Sequence, residues 1–223
     1  MEIFRGSISK NTIDVFRQHH QKYSADKSKN YVNQAGIDIR TLIQEGTDAF
    51  DEVKKICLKH FPLVENREIY ANYQRQSKPT FMHVDEFGAD RTEKTWTIII
   101  PMHTDDRLNV VLLKNYFNTN EDLKKFVINF DYDNAVKKNN ASTQVTIDHT
   151  PHNYKNPDQY LIDYMDLDGI FEYKLGDYVL FDTNQAHASS NFTTLKEYEH
   201  KDLVQIHIGK SPATGHDPYF TEK

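Results

Sequence analysis

His83 and Asp85 lie two apart in Phe81-Met82-His83-Val84-Asp85-Glu86, a stretch whose composition suits an extended strand. On a strand both side chains leave from one face, so an imidazole nitrogen and a carboxylate oxygen are offered to a common point. Far downstream, His187 closes the strand-like run Tyr178-Val179-Leu180-Phe181-Asp182-Thr183-Asn184-Gln185-Ala186-His187. Two histidines and one carboxylate on one side of a metal leave positions open on the other, the ligand set expected of non-haem Fe(II) oxygenases. Only tertiary folding can bring His187 to the pair.

The N-terminal part, residues 1–67, reads as mainly helical. Asn11 is placed to cap a helix through Ile13, Val15 and Phe16 toward Tyr23. A second helical pattern occupies 37–45. A third starts at Thr47, carries Phe50, Val53, Ile56, Cys57 and Phe61 on one side, and has Pro62 beyond its end. His19 and His20 read as members of a solvated helix face.

From Glu68 the texture changes to short β-rich runs: 69–74, 80–85, 95–103, 108–113, 159–165, 170–173, 178–182 and 203–209. Residues 121–127 suit a short helix, and Gly176-Asp177 a turn. Residues 131–160 are polar and read as an excursion with one strand-like run at 144–147. This pattern predicts one α+β domain over 1–223: a double-sheet jelly-roll core at 68–210 with the N-terminal helices packed on its outside.

Composition bounds the function classes. The 223 residues are 38% hydrophobic and 12% aromatic with a formal net charge of −6, which fits a globular protein and argues against a broadly basic nucleic-acid surface. The single cysteine, Cys57, excludes an intramolecular disulfide and a cysteine-rich zinc site, and its helical setting predicts a buried structural thiol. No run approaches the ~20 apolar residues of a membrane span, and the first residues lack a signal-peptide pattern, so the expected address is the cytoplasm. His149 and His152 sit among proline and turn residues and are poorer metal candidates. The acidic runs at 131–134 and 166–169 lack the downstream oxygens of an EF-hand.

The stretch from about Tyr70 to Gly209 resembles the 2-oxoglutarate and Fe(II)-dependent dioxygenase superfamily, in particular its prolyl-hydroxylase-like and phytanoyl-hydroxylase-like branches. The resemblance rests on His83-Val84-Asp85, Tyr73 ten residues ahead of it, the run Gly176-Asp177 through Phe181-Asp182, and the closing His187. It implies a jelly-roll (double-stranded β-helix, cupin-like) core and Fe(II) held by His83, Asp85 and His187, with no catalytic residue beyond these ligands. 2-Oxoglutarate would be cosubstrate with dioxygen, and an unidentified primary substrate would be hydroxylated or demethylated. Related halogenases lack the carboxylate that Asp85 supplies.

The resemblance also implies a cation for the distal carboxylate of 2-oxoglutarate, a short way past the second histidine. Glu197 occupies the usual spacing, with Lys196 and Lys201 on either side. In the last strand Val204, Ile206 and Ile208 make an apolar face, and Lys201, Leu203, Gln205 and His207 share the other. That parity favours Lys201, with Gln205 beside it; Lys196 and Arg75 remain alternatives. Tyr73 and Thr97 are the further expected cosubstrate contacts. A non-catalytic metal- or ligand-binding cupin is the competing class.

Overall fold

The computed structural model describes residues 3–26, 30–31, 37–61, 68–76, 82–85, 95–131, 133–139, 161–190 and 199–209. Its strands are β1 (Phe4–Ser7), β2 (Asn30–Tyr31), β3 (Ile37–Ile43), β4 (Ile69–Gln76), β5 (Trp96–Pro101), β6 (Asp105–Tyr116), β7 (Leu167–Tyr173), β8 (Asp177–Asp182), β9 (Gln185–Ser190) and β10 (Lys201–Ile208). Its helices are α1 (Lys10–Tyr23), α2 (Asp48–Leu58), α3 (Asn120–Ile128) and a single turn, α4 (Leu161–Tyr164).

The strands form a seven-stranded sheet in the order β1-β8-β5-β10-β4-β3-β2 and a three-stranded sheet in the order β7-β6-β9. Every pairing is antiparallel. This is the jelly-roll core that the strand spacing predicts.

Strand alternation sorts the side chains into layers. Ile98, Ile100, Val204, Ile206 and Ile208 leave one face of the large sheet and pack under α1 and α2, against Phe16, Phe50, Val53 and Ile56. Ile99, Val179, Phe181 and Leu203 leave the other face and meet Leu108, Val110, Leu112, Phe171 and Tyr173 of the small sheet. The far side of the small sheet is covered by Leu123 and Val127 of α3 and by Leu161 and Ile162 of α4. The N-terminal helices thus lie outside the core, as expected.

α2 begins where predicted: Thr47 caps it, its hydroxyl accepting from Phe50 N–H at 3.2 Å, and Asp48 and Asp51 sit in the first turn. α1 is capped by Ser9, whose hydroxyl accepts from Thr12 N–H at 3.1 Å, so Asn11 is already inside the helix. Residues 37–43 form a strand and not the predicted helix. Ile37, Ile39, Thr41 and Ile43 are β-branched, and β4 offers them a partner, with Thr41 opposite Tyr73. Long-range pairing outweighs the local helical spacing.

That strand also corrects the reading of His19 and His20, which are buried and not solvated. His19 donates from Nε2 to Leu42 O at 2.8 Å; His20 Nδ1 lies 2.9 Å from Thr41 Oγ1, and its ring stacks on Tyr73 with centroids 4.2 Å apart. Residues 161–164 are helical where a strand was expected. The 144–147 run, and all of the polar excursion except 131 and 133–139, lie outside the described residues. Among the described residues no helix is long and apolar enough to cross a membrane.

Cys57 is fully buried in the helix-side core, and burial pushes its thiol up to about 12. At pH 8 a thiol reagent is therefore expected to label the native protein at least ~100-fold more slowly than the unfolded chain. Equal rates in the absence and presence of denaturant would show that Cys57 is not structural.

Candidate metal centre

Residues 82–85 run alongside β9 as an added edge of the small sheet. His83 and His187 are joined by a two-bond antiparallel bridge: His83 N–H donates to His187 O at 2.9 Å, and His187 N–H donates to His83 O at 3.0 Å. Residues directly opposite on antiparallel strands project to the same side, so the bridge sets the two imidazoles together, ring centroids 4.2 Å apart. Alternation then decides the rest. Met82 and Val84 turn to the apolar cluster under α3, and His83 and Asp85 turn to the space between the sheets.

Two further contacts fix the short ligand segment. Asn120, the first residue of α3, grips the Val84 peptide from both sides: Val84 N–H donates to its Oδ1 at 2.9 Å, and its Nδ2 donates to Val84 O at 3.0 Å. Asp85 N–H donates to Thr183 O at 2.9 Å.

The three ligand atoms lie within 4.8 Å of one another, the only such group among the described residues. Asp85 Oδ1 is 3.6 Å from His83 Nε2, and Oδ2 is 3.6 Å from His187 Nε2. His187 Nδ1 lies 2.9 Å from Gln185 O, to which it donates, leaving the Nε2 lone pair directed at the centre. Burial, then the nearby His83, lowers His187 to about 4, so it is neutral at physiological pH. Burial alone would raise Asp85, but the surrounding His187, His207 and His83 outweigh it and hold the carboxyl well below its usual range. A neutral imidazole and an ionised carboxylate are the forms that ligate a divalent metal.

Thr97 meets Asp85 directly: its hydroxyl donates to Oδ2 at 2.8 Å and accepts from His207 Nδ1 at 3.1 Å. Its place is thus beside the metal carboxylate. Gln205 points between the sheets, as parity predicts, and accepts from the Gln74 amide. Lys201 shares that face; it is 2% exposed, its Nζ lies 5.3 Å from the Tyr173 ring centroid, and burial lowers its pKa to about 7. The Tyr173 hydroxyl is buried with no hydrogen-bond partner.

Tyr73 and Arg75 are not at this site. The β4 register turns Asn72, Gln74 and Gln76 inward, which leaves Tyr73 and Arg75 on the helix side of the sheet. There the Tyr73 hydroxyl donates to Asp202 Oδ2 at 3.3 Å, and Arg75 holds both Asp202 oxygens at 3.0 Å. Lys196, His149 and His152 lie outside the described residues. Tyr173, Asn120 and Thr183 were not singled out in the sequence; Tyr173 alone carried a signal, its alternation with Phe171 on an inward-facing strand.

No family model matches the chain, and no curated protein matches it in sequence. Solved structures do match in fold. The non-heme alpha ketoglutarate dependent epimerase SnoN from nogalamycin biosynthesis superposes with a TM-score of 0.57 at 10% identity, covering 99% of this chain and 84% of that one. A Pseudomonas putida prolyl-4-hydroxylase gives 0.53 at 7% identity, over 93% and 92% of the two chains. HygX from Streptomyces hygroscopicus, solved with nickel and 2-oxoglutarate bound, gives 0.52 at 10%, over 95% and 82%.

Asn120→Ala removes both bonds that hold Val84 while leaving all three ligands in place. Co(II) titration followed by its visible absorption is expected to show about 10–100-fold weaker binding with unchanged far-ultraviolet dichroism. Wild-type affinity in this variant would mean that the clamp does not position the ligands.

Proposed function

We propose that the protein is a non-haem Fe(II)- and 2-oxoglutarate-dependent dioxygenase that hydroxylates a small molecule, an amino acid or a peptidyl residue. The observation that carries this reading is the convergence of His83, Asp85 and His187 from one side, inside a jelly roll whose solved fold relatives include 2-oxoglutarate-dependent enzymes. Two imidazoles and a carboxylate match the ligand preference of Fe(II) and leave coordination positions for cosubstrate. When bound, iron and 2-oxoglutarate would supply the oxidising chemistry, with dioxygen giving succinate and carbon dioxide and leaving one oxygen atom on the substrate carbon.

The chain's own residues do the holding. His187, oriented by Gln185 O, and His83 would give nitrogen ligands, and Asp85 an anionic oxygen. Thr97, by donating to Asp85 Oδ2, limits the rotation of that carboxylate. Lys201 is the cation we assign to the distal carboxylate of 2-oxoglutarate, with the Tyr173 hydroxyl as a second donor and Gln205 on the same wall. The buried Tyr173 hydroxyl has no partner, and a carboxylate placed between it and Lys201 would accept from the phenol and pair with the ammonium.

Anaerobic addition of Fe(II) and then 2-oxoglutarate is expected to produce a metal-to-ligand charge-transfer band in the wild type and none in a folded His187→Ala variant. A band in the variant, or none in the wild type, would overturn the dioxygenase reading; metal binding without a band would favour a non-catalytic cupin.

Lys201 gives a separate test. In the free protein it is charged below about pH 7 and loses its proton above that. A paired carboxylate raises the pKa again, so at pH 8 binding of 2-oxoglutarate must take up a proton, and affinity must fall as pH climbs from about 7. Calorimetry of the metal-loaded protein in buffers of different ionisation enthalpy reads that uptake. Lys201→Met is expected to abolish it and weaken binding at least ~10-fold. Equal heats in all buffers would remove Lys201 from the role.

A further inference from the structure

All three metal ligands belong to the small sheet and its added edge, yet the Asp85 carboxylate is held from the large sheet. Four residues make a row across that sheet, each directly opposite the next: Tyr70 on β4, His207 on β10, Thr97 on β5 and Phe181 on β8. Side chains opposite one another on neighbouring antiparallel strands share a face, and Phe181 places this face between the sheets. The row meets two of the ligands. Thr97 donates to Asp85 Oδ2 at 2.8 Å, and the Phe181 ring lies edge-on to His187 with centroids 4.8 Å apart. At the other end the Tyr70 ring lies 25° from parallel to His207, with centroids 6.1 Å apart.

The hydrogens available set the direction of these contacts. Thr97 has one hydroxyl hydrogen, and an ionised carboxylate can only accept. That hydrogen therefore goes to Asp85 Oδ2, and the 3.1 Å contact to His207 Nδ1 is an imidazole N–H donated to Thr97 Oγ1. A ring protonated at Nε2 alone would set two lone pairs against each other. Thr97, His207 and Asp85 are all buried, where such bonds are stronger than in water. Donation from His207 fixes the side on which the hydroxyl accepts, and so aims its hydrogen at Oδ2.

We infer that His207 is a positioning residue of the metal centre: through Thr97 it holds Asp85 Oδ2 and leaves Oδ1 as the oxygen presented to the metal. A carboxylate that bound through both oxygens would fill a coordination position that an open site needs. The large sheet thereby sets how a ligand of the small sheet is used. The role belongs to the metal centre itself and stands whether or not that centre is a dioxygenase.

Co(II) titration of the full chain, without cosubstrate, reads the role. His207→Phe keeps an aromatic ring against Tyr70 and loses the donor. Thr97→Val keeps the shape and loses the hydroxyl, and His207→Asn sets an amide N–H where Nδ1–H stood. The first two are each expected to weaken Co(II) binding at least ~10-fold. The double variant is expected to lose no more than about threefold further, because both changes break one chain of contacts. His207→Asn is expected to stay within about threefold of wild type. In the metal-free wild type, long-range proton–nitrogen NMR is expected to show His207 protonated at Nδ1, its signals identified by their loss in His207→Asn. Wild-type affinity in His207→Phe, effects that multiply in the double variant, no recovery in His207→Asn, or a wild-type ring protonated at Nε2 alone would overturn the inference. Should His207→Phe fail to fold, the wild-type tautomer and the affinities of Thr97→Val and His207→Asn decide it. The charge-transfer band keeps the two readings apart. Its presence without His207–Thr97 coupling sinks only the positioning role, and coupling without the band sinks only the dioxygenase.

Discussion

The pair of backbone hydrogen bonds between His83 and His187 is the constraint on which the site depends. Each histidine is held by the peptide of the other, so the imidazoles cannot drift apart without breaking the edge of the small sheet. Asp85 enters through the same device, since it is one alternation further along and its own N–H is held by Thr183 O. The ligand set is thus built from main-chain pairing, with Asn120 holding the N–H and the C=O of Val84, the residue between the two upstream ligands. Side-chain packing enters only afterward, where Phe181 meets the His187 ring edge-on at 4.8 Å.

The interior between the sheets is a compromise between stability and chemistry. One half of it is ordinary core, Leu108, Val110, Leu112, Phe171 and Phe181. The other half buries Lys201, His207, Asn72, Gln74 and Gln76. Each buried polar atom left without a partner costs about 1–3 kcal/mol, a notable fraction of a typical domain's total stability. The helix-side core offsets this, with Phe16, Val53, Ile98, Ile100, Val204 and Ile206 all removed from water. α1 and α2 are remote from the metal ligands, yet they stabilise the sheet that can then tolerate a polar wall.

The metal ligands were legible because their geometry is local in two of three cases. A spacing of two on a strand forces His83 and Asp85 to one face, and the β10 parity that separates Lys201 from Val204 follows from the same rule. Tyr73 was misplaced because parity gives relative and not absolute orientation. Nothing within β4 says whether Tyr73 or its neighbours Asn72 and Gln74 face inward, and the polarity of Tyr and Arg is compatible with either side. Residues 37–43 failed for a different reason: the strand assignment depends on β4 as a partner, and a window of seven residues contains no trace of it. His19 and His20 then followed the same error, because their acceptors Leu42 and Thr41 lie on that strand. Lys196 and all of the polar excursion except 131 and 133–139 lie outside the described residues.

β10 shows how narrowly the arrangement is specified. Lys201 and Asp202 are adjacent and opposite in charge, and the strand sends one into the site and the other to the helix side, where Arg75 and Tyr73 receive it. A slip of one residue would bring the Asp202 carboxylate into the space we assign to an anionic cosubstrate, and would turn Val204 and Ile206 inward beside Asp85 while Lys201 and Gln205 entered the apolar layer under α1 and α2. Such a slip is opposed from both edges, since β10 is paired along its length with β4 and over six residues with β5. The bidentate Arg75–Asp202 contact adds a side-chain lock to the same register. That pair is partly exposed, so its direct contribution to stability is small, of the order of a surface ion pair at about 0–1 kcal/mol. Its consequence for function is larger, because it helps to decide which of two neighbouring charges faces the metal centre.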